Sequence, residues 1–192
     1  MKASIAIRSH KRVDALCEAI ERIVTQDYPD LEIVVVEQSG VLTPSQDQRL
    51  AALQSDPRLR VYKRPPLGAA AARNEAVRLS RGDVIVFLDD DDLPRDNGWL
   101  SALMRNFDDP KCLGASGRHV VPGGRQPPYL AMQYARRSVL SYSFLKWPRT
   151  YVRVDTRSPS VQSLMGTNGS VRRSAVERFG LWDECTPIEE EA

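Results

Sequence analysis

Four consecutive carboxylates, Asp89-Asp90-Asp91-Asp92, follow directly on the apolar run Val84-Ile85-Val86-Phe87-Leu88. Two unit charges 4 Å apart repel by about 1 kcal/mol even in water, and by more beside a low-dielectric sheet edge. Held at the end of a buried strand, such a run needs a cation or raised pKa values. A hard divalent ion such as Mg²⁺ or Mn²⁺ suits an all-oxygen place and commonly bridges carboxylates to diphosphate oxygens. A solvated acidic turn capping a helix after Pro94 accounts for the same run. On these residues alone both readings stand.

Two neighbours add to the first reading. Gly68-Ala69-Ala70-Ala71-Ala72-Arg73-Asn74 opens a helix whose small residues permit close approach. Arg73 there can reach an anion, or it is an ordinary surface arginine. Glu37 closes the run Val34-Val35-Val36 and puts an acceptor at a strand end, or it is a charged loop residue.

The elements that must position these residues follow from periodicity. Residues 3–7, 31–36, 59–62 and 84–88 read as strands. The run at 31–36 is β-branched, as in a parallel sheet covered on both faces. Between them lie helical patterns: Val13, Leu16, Ile20, Ile23 and Val24, then Leu50 and Leu53 behind a Ser45 cap, then Ala72, Ala76 and Leu79 with Gly82 as the residue past the helix end. Trp99, Leu100, Leu103 and Met104 mark a fourth helix. The alternation argues an α/β domain with a mostly parallel sheet, whose ligands bind beyond the carboxyl ends of the strands. Residues 122–128 form a Gly/Pro-rich loop, and 162–172 read as a strand entering a helix that ends near Gly180.

Composition sets the outer limits. The chain has 192 residues, 27 Lys plus Arg against 25 Asp plus Glu, and a formal charge of +2. That balance excludes a polyanion-steered class, so no nucleic-acid partner is expected. No apolar run is long enough to span a bilayer, and the first residues lack the apolar stretch of a secretory signal. Cys17, Cys112 and Cys185 make neither a disulfide framework nor a zinc pattern, and a reducing cytoplasm is the simplest home. His10 and His119 have no ligand spacing. Cys17 falls on the apolar face of the first helix and is expected in the core.

Taken together, the residues resemble the family 2 glycosyltransferases. The matching pieces are Ser4-Ile5-Ala6-Ile7 with residues 8–12, Ile33-Val34-Val35-Val36-Glu37, residues 68–74, residues 82–92, Met165-Gly166-Thr167-Asn168-Gly169-Ser170-Val171-Arg172-Arg173, and Phe179-Gly180-Leu181-Trp182-Asp183-Glu184. Their order and spacing match along nearly the whole chain. The resemblance implies a GT-A fold, a Rossmann-like mostly parallel sheet flanked by helices. It implies one domain over residues 1–192, with a nucleotide-sugar-binding half at 1–118 and an acceptor-side half at 119–192. It further implies transfer of a sugar from a nucleotide-sugar donor, a UDP-sugar first, to a hydroxyl of a glycan or other acceptor, with inversion and a divalent metal, Mn²⁺ or Mg²⁺.

Residue roles are carried by the same resemblance. Glu37 reads the nucleobase, in a place where the family usually has Asp. Arg73 contacts the nucleotide, Asp83 and Asp89 fix base or ribose, and Asp90 belongs with them on the donor side. Asp91 takes the metal-binding place of the family's Asp-X-Asp motif, with Asp92 as its support. Asn168, Trp182 and Asp183 fall on the acceptor side. The general base falls in Glu189-Glu190-Glu191, where the family has Glu-Asp: Glu191 aligns with the base and Glu190 with its acidic neighbour. A frayed acidic terminus describes the same residues. The family continues beyond its base motif, so a domain incomplete at its C-terminus is expected.

Other readings belong to other classes. A nucleotide-sugar-binding domain without turnover is the alternative, favoured by the missing Asp in the last motif. A nucleotidyltransferase lacks its Gly-rich loop with a following Lys, and a dinucleotide oxidoreductase lacks G-x-G-x-x-G after any strand. The aromatic and basic stretch at 129–149 reads as a cover over the acceptor, or as a peripheral contact with a membrane.

Overall fold

The computed structural model describes residues 1–117 and 168–185. In chain order the elements are β1 (Ala3–Ser9), α1 (Val13–Ile23), β2 (Leu31–Glu37), α2 (Pro44–Leu53), β3 (Leu59–Lys63), α3 (Ala69–Leu79), β4 (Val84–Asp89), α4 (Trp99–Met104) with a 3₁₀ turn (Arg105–Asp108), β5 (Gly114–Ser116), β6 (Gly169–Arg172) and α5 (Arg173–Phe179). The readings at residues 118–167 and 186–192 lie outside the described residues, among them the loop at 122–128, the stretch at 129–149, Glu190 and Glu191.

Six strands form one sheet in the order β3-β2-β1-β4-β6-β5. The first four run parallel, while β6 is antiparallel to both β4 and β5. Strand β6 thus brings the second half of the sequence into the sheet of the first. The expected α/β sheet is present, with each of the four parallel strands extending one or two residues past its expected end.

Side-chain alternation sends each parallel strand to two cores. Ile5, Ile7, Ile33, Val35, Val84, Val86 and Leu88 pack with Leu16 and Ile20 of α1 and Leu100 and Leu103 of α4. Ala6, Val36, Ile85 and Phe87 pack with Ala72, Ala76 and Val77 of α3. Covered on both faces, these strands carry the continuous apolar runs read from the sequence. Cys17 is buried in the first core, as expected. Among the described residues no helix is long and apolar enough to cross a membrane.

Two local expectations are corrected. Thr43, not Ser45, caps α2: its hydroxyl accepts from Gln46 N–H, the Gln46 side chain accepts from Thr43 N–H, and Pro44 fills the first helical position. Gly82 is not the residue past the end of α3, because Ser80 already caps that helix in an extended conformation. Glycine is required at 82 by close approach instead. A Cβ there would lie 2.6 Å from Ser4 Oγ and 2.7 Å from Ser4 N.

The amino end of the sheet is closed by a buried carboxylate. Glu32 Oε1 accepts from Ser4 Oγ at 2.6 Å and from Arg81 N–H, while Oε2 faces Arg60 Nη2 at 2.8 Å and Lys2 Nζ at 3.3 Å. Burial pushes this carboxyl up, but the bonds from Ser4 and Arg81 and the charges of Arg60 and Lys2 outweigh it and hold it below its ordinary value. A depressed carboxyl stabilises the fold above the unfolded value near about pH 4.3, and the contribution is lost as pH falls through the folded-state value. Glu32→Gln is expected to cost about 1–3 kcal/mol at pH 7. Denaturant titrations should show the gap to the parent narrowing as pH is taken below about 4.

Candidate functional site

The chain runs β1, β2, β3 to one side of β1 and then crosses back to lay β4 on the other. The carboxyl ends of β1 and β4 therefore border the point where strand order reverses, the place where open α/β sheets hold ligands. Register brings the chemistry there: Arg8 pairs with Asp89 and Ser9 with Glu37.

The turn after β1 is tied to the loop after β2. Gln38 N–H donates to Ser9 O at 2.9 Å, His10 Nδ1 lies 3.1 Å from Gln38 O, and Lys11 N–H donates to Ser39 Oγ at 2.7 Å. Lys11 adopts a φ of 60°, which turns the chain toward α1. Glu37 is 1% exposed, and its Oε1 accepts from Ser39 N–H at 2.6 Å. Its buried Oε2 has no hydrogen-bond partner among the described residues. A buried acceptor left open costs free energy unless a donor reaches it.

The four aspartates occupy four different environments. Asp89 sits 3.2 Å from Arg8 Nη2, and its N–H is received by Asp92 Oδ2 at 3.2 Å, closing a tight turn. Asp90 is 0% exposed. Its Oδ2 accepts from Ser9 Oγ at 2.8 Å, and its Oδ1 lies 2.6 Å from Arg12 Nη2 as an ion pair without hydrogen-bond alignment. Burial raises the Asp90 carboxyl, the Ser9 bond and Arg12 offset part of that rise, and Asp91 and Asp89 add to it. Asp91 is 56% exposed and pairs with Arg12 Nη1 at 2.8 Å. The Asp90 carboxylate points into the protein, where Ser9 at the end of β1 and Arg12 at the cap of α1 hold it. Arg12 and Ser9 escaped notice in the sequence because their partners lie about 80 positions away.

Arg73 is buried and lines a cavity of about 10 Å³ with Arg8, Asp89, Ala6, Ala76, Phe87 and Leu88. That volume holds about one water molecule. Its guanidinium lies 5.5 Å from the centroid of the Trp182 ring, which meets Phe87 edge-on at 5.0 Å. Trp182 thus packs on the α3 face, and Asp183 accepts from Cys185 N–H at 2.9 Å. Asn168, at a φ of 50°, accepts from Trp99 Nε1 at 3.1 Å and, through its carbonyl, from Gly117 N–H at 2.8 Å. It stands one residue before the Gly169–Phe87 pair, beside the same sheet edge.

Asp83 is not brought to that edge. It receives Lys2 N–H at 2.8 Å at the amino end of β4. Strand β4, rising about 3.3 Å per residue, runs between it and Asp89 at the carboxyl end. The structure gathers Glu37, Arg73, Asp89 and Asp91 at or beside the carboxyl edge. Among the described residues, no three His, Cys, Asp or Glu side chains are grouped to hold a metal ion by themselves.

Sheet order, the acidic turn at the reversal point and the flanking helices define a GT-A-type α/β domain. The model of Glycosyl transferase family 2 matches residues 4–180, and the chain belongs to that family. A glycosyltransferase of Rickettsia felis is 32% identical over 92 residues, covering 48% of this chain and 15% of that protein. The mannosyltransferase PcManGT of Pyrobaculum calidifontis, solved with GDP-Man and Mn²⁺, superposes with a TM-score of 0.67 at 22% identity, over 96% of this chain and 48% of its own. S. aureus TarS 1-349 with UDP-GlcNAc gives 0.62 at 18% identity, over 93% of this chain and 47% of its own. The chain spans less than half the length of each of these proteins.

The contrast between Asp90 and Asp91 is measurable. Asp90→Ala leaves the buried Ser9 hydroxyl without its acceptor and takes one of two carboxylates from Arg12, and is expected to cost about 1–3 kcal/mol. Asp91→Ala, at an exposed position, should stay within about 0.5 kcal/mol of the parent. Urea unfolding of the two variants checks this, and equal losses would remove Asp90 from its anchoring role.

Proposed function

We propose that the chain is the donor-binding part of an inverting glycosyltransferase that moves a sugar from a nucleotide-sugar, a UDP-sugar first, to a hydroxyl acceptor. The observation that carries the proposal is the pairing, at one sheet edge, of an open buried acceptor on Glu37 with an exposed carboxylate on Asp91. The relatives support it: TarS was solved with UDP-GlcNAc, and PcManGT with GDP-Man and Mn²⁺.

Each residue then has a task its surroundings allow. Glu37 Oε2 accepts an N–H from the nucleobase, such as the imide of uracil, and so satisfies a buried atom. Arg73, beside Asp89, meets the negative charge of the nucleotide. Asp91 and Asp89 offer only oxygen ligands, which fits a hard divalent cation that takes one or two carboxylates and completes its shell with phosphate oxygens and water. Such an ion supplies Lewis-acid neutralisation of the charge building on the departing nucleoside diphosphate. Asn168 borders the acceptor side of the edge.

The reaction is a single displacement. The acceptor O–H gives its proton to a carboxylate base as its oxygen bonds the anomeric carbon on the face opposite the diphosphate. The electron pair of the broken anomeric bond leaves on the nucleoside diphosphate. Glu191, with Glu190 beside it, is the proposed base; both lie outside the described residues.

A panel of nucleotide-sugars incubated with Mn²⁺, read by nucleoside diphosphate release, tests the proposal, with a UDP-sugar expected to react. Asp91→Asn should lower release about 100-fold or more while leaving the fold intact. Unchanged release in that variant would remove Asp91 from the reaction. Thermal stabilisation by UDP and Mn²⁺ without any release would instead establish a binding domain.

A further inference from the structure

Two consecutive residues of α3 hold the same distant tryptophan, and they hold different parts of it. Arg73 lies over the Trp182 ring. The Asn74 amide grips the Trp182 backbone from both sides: Nδ2 donates to Trp182 O at 2.8 Å, and Oδ1 accepts from Trp182 N–H at 3.0 Å. Asn74 Nδ2 also donates to Glu184 Oε1 at 2.7 Å, and Glu184 in turn receives Arg78 Nη2 at 3.2 Å. Asn74 is 1% exposed, so its own end of each bond is shielded from water, while the Glu184–Arg78 pair beyond it lies at the surface.

Asparagine is a poor residue for a helix interior, where alanine is favoured. Its place in the middle of an otherwise alanine-rich helix has a specific return. A carboxamide both donates and accepts in one plane, as a peptide does. Aspartate cannot donate and leucine can do neither, so neither reproduces the pairing with both the N–H and the C=O of a residue 108 positions away.

We infer that Asn74 is a positioning residue for donor binding: by fixing the peptide of Trp182 it sets the indole against Arg73 and so aims the guanidinium at the cavity shared with Arg8 and Asp89. The indole also meets Phe87 edge-on, with ring centroids 5.0 Å apart. A cation held over an aromatic face has a preferred direction as well as a gain in energy. The inference rests on the proposed contact of Arg73 with the nucleotide.

UDP binding in the presence of Mn²⁺, measured by calorimetry well below the unfolding temperature of each variant, is the test. Arg73→Ala is expected to weaken UDP about 10-fold or more, as loss of a charge-assisted contact does. Asn74→Ala should weaken UDP roughly 3- to 30-fold, and Trp182→Leu, which keeps the backbone grip and removes the ring, by a similar factor. Asn74→Ala added to Arg73→Ala should weaken UDP no further, because both act through one guanidinium. A purely structural role would make the two losses multiply. Multiplying losses, or parental affinity in both Asn74→Ala and Trp182→Leu, overturns the inference. If Asn74→Ala does not fold, Trp182→Leu alone and with Arg73→Ala decides in the same way. Parental affinity in Arg73→Ala would overturn the nucleotide contact itself, and the inference with it.

Discussion

A carboxylate with no exposed surface has to be balanced from within, and at Asp90 the balance is struck by residues of the first strand and first helix. Ser9 gives it a hydrogen bond and Arg12 gives it a charge. This one group ties the turn after β4 to the end of β1, at the point where strand order reverses. It also decides how the rest of the acidic run is displayed. With Asp90 turned inward, Asp89 is left beside Arg8 and Asp91 beside the solvent-facing side of Arg12. Four like charges can then stand in succession because they do not share one space.

The same economy is visible at the other end of the sheet. Glu32 gathers Ser4, Arg60, Lys2 and the Arg81 amide, and Gly82 leaves room for β1 to come close. The two ends differ in what they leave open. Around Glu32 both carboxylate oxygens have hydrogen-bonding partners. At the carboxyl end one oxygen of Glu37 has none among the described residues. Buried polar atoms in proteins are as a rule satisfied, and this exception stands at a strand end.

Much of this was legible in the sequence because it depends on local pattern. Apolar runs of the right length gave the strands, three- and four-residue spacing gave α1, and the position of the acidic run after β4 placed it at a sheet edge. Elements fixed by partners far away in sequence were not legible. The grip of Asn74 on Trp182 joins residues 108 apart, and nothing near either one signals it. Asp83 and Asp89 look alike in the sequence, flanking the same strand, yet that strand holds them at opposite ends of the sheet. Which member of the acidic run points inward depends on Ser9 and Arg12, not on the run itself. Both Thr43 and Ser45 have a glutamine three residues on, Gln46 and Gln48, but only Thr43 is followed directly by a proline, Pro44, that suits the first helical position.

Strand β6 has a further consequence, in the order in which the protein can be made. Strands β1 to β4 are complete by Asp89, but among the described residues the other edge of β4 pairs with residues 169–172. Strand β5 is made early yet has no seat until β6 arrives, since β6 lies between it and β4. About fifty residues of sequence separate β5 from β6, and contacts that far apart in sequence form more slowly than local ones. A ribosome that has delivered the first 120 residues therefore holds a folded-looking half with an apolar strand edge open to neighbours. The interval between those two strands is the stretch of synthesis in which this chain most needs protection from its own copies.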